Sequence, residues 1–185
     1  MRPIGGGGPV LAERVAIRRV GIDDYSDVRY LHAKSLVAHT ADTLSEAEVA
    51  TYVALVYSAA YGDILAGADL HGAFKDGQLV GTASWQANGD DGKVARISAV
   101  FVHPLFVRLG IGRRLVGEVE ARALQSGFDH FSISAIGNSV PFFEKLGYEV
   151  SSRGVKSFGP GCALPVAFLR KRVPRQARAP HSPAA

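Results

Sequence analysis

The sequence of 185 residues has a single cysteine, Cys162, and no long apolar run. One thiol cannot form a disulfide within the chain, so nothing in the sequence indicates an oxidising compartment. No stretch reaches the ~18 consecutive apolar residues that a membrane-spanning helix needs. The first residues, MRPIGGGGPV, lack the apolar segment of a secretory signal. We therefore expect a cytoplasmic protein that does not bind a membrane.

Acidic residues are outnumbered, with 17 Asp and Glu against 21 Lys and Arg, for a formal charge of +4. Residues 1–20 carry +3 and residues 170–185 carry +5, so the stretch between them carries −4. A basic protein invites a nucleic-acid-binding function, but such binding needs cations clustered on one folded face. Because the excess charge lies at the two ends, we consider nucleic acid an unlikely partner.

The length is that of one domain, and a hydrophobic content of 47% is ordinary for a globular protein. Glycines fill positions 5–8 between two prolines, and the chain from Val173 onward is rich in Pro, Ala and Arg. Such segments bury little side chain and lose much backbone entropy on folding. We expect disorder at 1–13 and 173–185 around one domain at 14–172.

Within that domain the patterns predict the element order β-α-α-β-β-β-α-β-α-β-β. A capping box at Thr43 or Ser45 starts the second helix, and Asp76-Gly77 favours a tight hairpin between strands at 70–75 and 78–85. A helix at 112–127 connects two strands and the last two strands flank a loop at 157–162. This order predicts an α/β fold with a mixed sheet and helices on both faces.

The most informative segment joins a strand to a helix through Val102-His103-Pro104 and Gly110-Ile111-Gly112. Glycine lets the backbone approach an anion closely, and the first-turn N–H groups of a helix favour negative charge. Arg108, Arg113 and Arg114 add positive charge, so the segment fits a pyrophosphate. It is not a Walker A loop, which needs Gly-Lys followed by Ser or Thr. It is not a dinucleotide fingerprint either, since that pattern needs a third glycine where Leu115 stands. Glycines that merely tighten a turn would give the same short pattern.

A second motif, Asn138-Ser-Val-Pro-Phe-Phe-Glu-Lys-Leu-Gly-Tyr148, follows the next predicted strand. Together the two segments resemble motifs A and B of the GNAT superfamily, the Gcn5-related acyl-CoA-dependent N-acyltransferases. The first Arg or Gln of the family's motif A falls on Val107, and Arg108 stands one place later.

The resemblance implies a GNAT fold, with a mixed, mostly antiparallel sheet of six to seven strands that is splayed between strands 4 and 5. Acetyl-CoA would be the co-substrate, with no metal, and a small-molecule or peptide primary amine would attack the thioester directly. Family members often form homodimers, so a homodimer is possible here. The positions that the resemblance assigns to coenzyme A are Phe101, Val102, Arg108, Leu109, Gly110, Ile111, Gly112, Arg113, Asn138 and Phe143.

The catalytic acid and base stay open at this stage. Phe143 stands where many family members have a tyrosine that protonates the leaving thiolate, so water or another residue must serve, or the protein binds acyl-CoA without turning it over. Arg96, Ser98 and Val100 stand where some family members carry an acid. The candidates for a base are more simply interpreted as capping, solvated or structural residues: His32, His39, Asp42, His71 and His103. We expect packing roles for Tyr52, Tyr57, Tyr61, Trp85 and Tyr148, and an unreactive thiol at Cys162.

Overall fold

The computed structural model describes residues 15–88 and 94–174. Within these residues the chain forms seven strands and five helices. Their bounds are β1 Val15–Arg19, α1 Tyr25–Thr40, α2 Glu46–Val56, α3 Ala59–Ala66, β2 Asp69–Lys75, β3 Gln78–Asn88, β4 Val94–Val102, α4 Ile111–Gln125, β5 His130–Ile136, α5 Val140–Glu144, β6 Glu149–Gly159 and β7 Cys162–Arg172.

All seven strands form one sheet in the order β1-β2-β3-β4-β5-β7-β6. Every neighbouring pair is antiparallel except β4 and β5, which are parallel and connected through α4. The predicted mixed, mostly antiparallel sheet is therefore confirmed.

Two apolar layers cover the two faces of this sheet. On one face α4 presents a stripe at helical spacing, including Leu115 and Val119, which packs with α5 against the sheet. On the other face α1, α2 and α3 bury Leu31, Tyr52 and Leu65. The sheet is thus the central layer of three, as the prediction of helices on both faces requires.

The sheet opens between β4 and β5. These strands pair only at Val94–Arg96 against His130–Ser132, although they continue to Val102 and Ile136. Beyond the paired residues the strands diverge, which matches the predicted splay between strands 4 and 5.

The sequence predicts two helices before the hairpin, and the structure has three. α2 starts where predicted, with the Ser45–Glu48 capping box formed, but it stops at Val56 and α3 follows. The side chain of Arg29, on α1, donates to the carbonyls of Val56 and Ser58. A residue 27 positions away thus caps the break, and no local pattern reveals that contact.

The turn at Asp76-Gly77 is confirmed, with φ values of 50° and 82°. The last hairpin differs from the prediction, because β6 and β7 each run for 11 residues and meet at Pro160-Gly161. The predicted loop at 157–162 is therefore mostly strand. β6 forms an edge of the sheet and is exposed along most of its length, so its sequence lacks the alternation that marks a half-buried strand.

Val173 continues the packing of the last strand. Its N–H donates to the Asp129 carbonyl at 2.9 Å, and its side chain packs against the α4-side core. The expected disorder of 1–13 and of the tail beyond 174 lies outside the described residues. Much of the basic charge also belongs to the sheet, since Arg18, Arg19 and Lys171 lie on strands and pair with carboxylates.

In the described ranges no single helix is long and apolar enough to cross a bilayer. α2 and α3 meet that length and composition requirement together, as a pair bent by 72°.

Candidate active site

The gap between β4 and β5 widens into a cavity of about 930 Å³ that both helical layers and the β6–β7 hairpin enclose. The structure brings most of the sequence-predicted coenzyme A positions to its wall: Phe101, Val102, Arg108, Gly110, Ile111, Gly112, Arg113, Asn138 and Phe143. Leu109 does not line the cavity and packs against the α4-side core.

The loop between β4 and α4 is shaped by two residues in left-handed conformation. Arg108 has φ 63° and Gly110 has φ 78°. Gly110 is the N-cap of α4, and the Arg114 N–H makes a helical bond to its carbonyl at 3.0 Å. The N–H groups of residues 111–113 precede that bond and have no partner within the helix. The start of α4, at the cavity wall, therefore offers backbone donors and the positive end of the helix dipole.

The three arginines of this loop do not act together. Arg114 donates Nη2 to the Val15 carbonyl at 3.0 Å and so braces β1 against α4. Arg108 and Arg113 line the cavity, and neither side chain makes a hydrogen bond or ion pair with any other residue in the described part of the chain. Two cations, not three, are available to an anion there.

The two glycines of the loop have different structural reasons. A Cβ on Gly110 would meet nothing within 4 Å, so its left-handed φ is what requires glycine. A Cβ on Gly112 would lie 3.2 Å from Phe142 Cζ and 3.4 Å from Val102 Cγ2. Gly112 therefore permits the close packing of α4 against α5 and β4.

β4 contains a bulge at the cavity. Thr82 pairs with Phe101 and Ser84 with Ser98, so β4 has one residue more than β3 over this interval. Ala99 takes up the extra residue with φ 50°, a conformation that costs a non-glycine residue roughly 1 kcal/mol. Such bulges re-aim side chains and are frequent next to active sites.

A chain of buried hydrogen bonds holds this bulge. The Thr82 hydroxyl donates to the Ala99 carbonyl at 2.7 Å. Because its one proton is used there, Thr82 accepts from His32, whose Nε2 lies 2.7 Å away. A neutral His32 then accepts at Nδ1 from the Tyr61 hydroxyl, also at 2.7 Å. The three hydrogen bonds therefore run in one donor-to-acceptor direction, from Tyr61 to Ala99, and link α3, α1, β3 and β4.

Burial controls the ionisation of these groups. It lowers the pKa of His32 to about 3, so the imidazole is neutral. It also raises the pKa of Tyr52 to about 12 and that of Tyr61 well above its ordinary value. His32 is therefore a structural link in this chain, and both phenols, which line the cavity, are protonated.

α1 also fixes the end of β4. The Ser35 hydroxyl and His39 Nε2 lie 3.0 Å and 3.2 Å from the Val102 carbonyl, which accepts from both. Of the histidines and the aspartate considered as bases, only His39 lines the cavity. Its Nε2 donates to a carbonyl, so that nitrogen is not available to accept a proton.

The remaining catalytic candidates have structural roles. His103 accepts the Leu105 N–H at 3.2 Å, which caps a short 3₁₀ turn. Tyr148 is buried and donates its hydroxyl to Glu120 at 2.7 Å. Burial, reinforced by Glu120, raises the pKa of that phenol. His71 is buried with Nε2 3.1 Å from Asp69, away from the cavity.

The other aromatic and thiol predictions agree with the structure. Trp85 packs on Phe128 with ring centroids 5.6 Å apart and donates to Asp69 at 3.0 Å. Cys162 is buried, and burial raises the pKa of its thiol. Phe143 lies in the core and also lines the cavity. Tyr57, expected to pack, is instead 58% exposed because α2 ends just before it.

No sequence pattern indicated the polar part of the cavity wall. Thr82 and the bulge at Ala99 follow from tertiary hydrogen bonds, and Lys156 reaches the cavity from the far hairpin. Arg96 was noticeable only as a departure from the family pattern. Within residues 15–88 and 94–174, no group of three or more His, Cys, Asp or Glu side chains is placed to hold a metal ion.

Comparisons with known proteins identify this architecture. The profile of a family described as acetyltransferase (GNAT) domain matches residues 40–159. No curated protein matches the sequence significantly.

Solved structures share the fold over most of the chain. A GCN5-related N-acetyltransferase from Rhodopseudomonas palustris has 24% identity and a TM-score of 0.75, over 85% of this chain and 95% of the other. PaiA N-acetyltransferase from Thermoplasma acidophilum, in complex with coenzyme A, has 18% identity and a TM-score of 0.66, over 86% and 99%. YncA from Salmonella typhimurium, a putative acetyltransferase with acetyl-CoA, has 21% identity and a TM-score of 0.60, over 89% and 97%. At these identities the likeness concerns the fold.

Proposed function

The chain belongs to the GNAT acetyltransferase family, and on that premise we propose that it transfers an acetyl group from acetyl-CoA to the primary amine of an acceptor. The observation that carries the proposal is the cavity between the diverging strands β4 and β5, with the start of α4 at its wall. The fold is shared with a coenzyme A complex and an acetyl-CoA complex, which supports this occupant.

In this proposal the pyrophosphate of coenzyme A binds the backbone N–H groups at the start of α4, between Arg108 and Arg113. The pantetheine lies along β4 at Phe101 and Val102, with Asn138 and Phe143 on the opposite wall. Gly110 leaves open space beside the loop. Unpaired N–H groups at the start of a helix, together with the positive end of the helix dipole, favour the binding of a phosphate.

The chemistry balances without a covalent enzyme intermediate. The amine nitrogen attacks the acetyl carbon, the carbon–sulfur bond breaks, and the amine loses a proton while coenzyme A leaves as a thiol. Phe143 has no proton to give, and the hydroxyl of Tyr148 is bonded to Glu120. Water is therefore the proposed proton carrier, and the protein contributes mainly orientation and polarisation of the thioester.

Coenzyme A binding tests the loop assignment. Gly110→Glu places a carboxylate at the start of α4, where it opposes a phosphate, and we expect affinity to fall by at least about tenfold, or 1.4 kcal/mol. Gly110→Ala gives the same backbone strain without the charge. Gly117→Glu is the matched control, because it adds the same charge to an open position of the same helix. Gly112 is unsuitable, since any side chain there meets Phe142.

Isothermal titration with coenzyme A measures these affinities. A Gly110→Glu variant that folds and binds as tightly as Gly117→Glu would contradict the loop assignment.

Phe143 supports a second candidate, a protein that binds acyl-CoA without turnover. The two functions differ in thiol release from acetyl-CoA across a broad panel of primary amines. Binding of acetyl-CoA without any amine-dependent thiol favours the second candidate. Phe143→Tyr should then raise turnover if a missing acid is the cause.

A homodimer is a separate proposal, which light scattering of the purified protein would test.

A further inference from the structure

Part of the cavity wall is a polar surface on the sheet face that α1–α3 cover. Gln86 pairs with Arg96 and Ser84 with Ser98, and cross-strand partners point to the same face. Ala95 and Ile97 point to the opposite face, into the α4-side core. This surface, called here the polar floor, consists of Ser84, Gln86, Arg96, Ser98, Ser134 and Lys156.

The polar floor carries positive charge. Lys156 reaches it from β6 and donates to the Ser134 hydroxyl at 3.0 Å. Burial lowers the pKa of Lys156, and the nearby charge of Arg96 lowers it further. The side chain of Arg96 forms no hydrogen bond or ion pair with another residue among those described. Among the described residues, these two half-buried cations line one cavity without a counter-ion, and such an arrangement favours an anion.

Negative charge on the described cavity wall comes from one side chain, Asp63, which is exposed on α3. It makes no ion pair with Arg96 or Lys156. A polyamine, with further cationic groups, would therefore be repelled at the floor.

The phosphates of coenzyme A do not account for this surface. Arg96 is six residues before the end of β4, about 20 Å along the strand from Val102. The glycine loop, residues 103–110 between β4 and α4, follows Val102. The bulge at Ala99 is three residues, or about 10 Å, from Arg96. The long arginine side chain shortens that span, so one small molecule can extend from the floor to a thioester near the bulge.

Resting on the proposed acetyl transfer, we propose that the acceptor is a small primary amine that also carries an anionic group, a carboxylate or a phosphorus oxyanion. Arg96 and Lys156 bind the anion and so direct the amine toward the bulge in β4. Arginine provides a planar pair of donors for an oxyanion, and the ammonium of Lys156 adds a point charge.

Paired acceptors that differ only in the anionic group test the proposal. At saturating acetyl-CoA, thiol release is measured for each α-amino acid and its amide, for phosphoethanolamine and ethanolamine, and for putrescine. We expect at least one anionic compound to have a kcat/KM at least tenfold above its neutral partner, and putrescine to be poor. An equal or better neutral partner throughout the panel would overturn the proposal while acetyl transfer itself stands.

Variants then assign the effect to the floor. Arg96→Gln and Lys156→Gln should each raise KM at least tenfold for the anionic acceptor, with little change for the neutral partner and an unchanged coenzyme A Kd. Arg96→Lys should retain part of the preference. Arg153→Gln is the matched control, because it removes the same charge from an exposed position of the strand that carries Lys156. Equal losses for both members of a pair would contradict the assignment.

If no amine releases thiol, binding of the acceptors can still be measured. Titration of the same pairs into the complex with coenzyme A compares their affinities without turnover. Preferential binding of the anionic members, abolished by Arg96→Gln, would support the floor as an anion site while the proposed transfer fails. Equal binding would reject the anion site as well.

Discussion

At the scale of single residues, His32 shows how one buried side chain organises the candidate site. It is 0% exposed, stacks on Phe101 at 4.3 Å between ring centroids, and has hydrogen-bond partners for both ring nitrogens. Its neutral form fits a chain in which each donor has one acceptor. A proton added to Nδ1 would break the bond from Tyr61 and would place a charge in a fully buried position.

This burial makes stability depend on pH. The folded pKa of His32 is about 3 against an ordinary 6.5, so below pH 6.5 the unfolded chain binds a proton that the folded chain does not. Stability is full above pH 6.5 and falls as pH drops toward 3. Between pH 7 and 5 we expect His32 to remove about 2 kcal/mol from the free energy of unfolding. Most carboxylates stay ionised between pH 7 and pH 5, so the change in stability over that interval comes mainly from histidine side chains.

Urea unfolding at several pH values measures this effect. His32→Gln should be less stable overall and should show a pH dependence smaller by about 2 kcal/mol over the same interval. Nitrogen-15 spectra of the wild type should show a neutral imidazole with the proton on Nε2 down to pH 5. A His32 that titrates near 6.5 would contradict the expected burial effect.

At the scale of elements, α4 is joined to β7 by a partly buried polar cluster. Lys171 contacts both carboxylate oxygens of Glu120, at 2.9 Å and 2.7 Å, and Tyr148 donates to the same group. The side chains of Glu120 and Lys171 are 12% and 19% exposed. The cluster therefore holds the helix behind the glycine loop against the sheet.

Glu120→Gln removes the charge that faces Lys171 while keeping similar size. We expect a loss of about 1–3 kcal/mol in the free energy of unfolding, since a partly buried cation is left without its partner. Glu118→Gln is the control on the same helix, because Glu118 pairs with Arg122 at 2.8 Å in the open. That exposed pair should contribute less than about 0.5 kcal/mol. Equal losses in the two variants, by chemical denaturation, would refute the cluster's role.

Elements also show why part of the fold could be predicted and part could not. The Asp76-Gly77 turn and the Ser45 cap depend on neighbours in sequence, and both were predictable. The break between α2 and α3 depends on Arg29, and the bulge at Ala99 on Thr82 and hence on α1. The polar floor joins Arg96 and Lys156, which are 60 residues apart. Only register and packing bring such groups together.

At the scale of the whole molecule, the ion-paired cations of the described strands are dispersed over the sheet. Arg18 and Arg19 lie on β1, at one edge of the sheet, and pair with Asp24 and Asp69. Lys171 lies near the other edge and pairs with Glu120. A nucleic-acid surface needs unpaired cations on one face, whereas these three cations are paired and lie toward opposite edges of the sheet.

A shortened chain of residues 14–174 tests the independence of the folded domain. It lacks Arg2, Arg175 and Arg178, and we expect coenzyme A affinity within about twofold of the full chain, or 0.4 kcal/mol. Any binding to duplex DNA should be weak, lost at 200 mM salt and reduced by the truncation. Undiminished, salt-resistant DNA binding by the shortened chain would instead favour a nucleic-acid function.

The bulge in β4 makes the length of that strand as constrained as its composition. Before Ala99 the even-numbered residues, Arg96 and Ser98, face the helices α1–α3, and after it the odd-numbered Phe101 does. The alternation of side chains between the two faces of the sheet thus shifts by one residue at the bulge. Deletion of Ala99 would restore one regular alternation, in which Arg96, Ser98 and Phe101 keep their common face. A chain shortened there would still form a strand with the same faces, yet it would lose the carbonyl that accepts from Thr82, and with it the last acceptor of the hydrogen-bonded chain through His32.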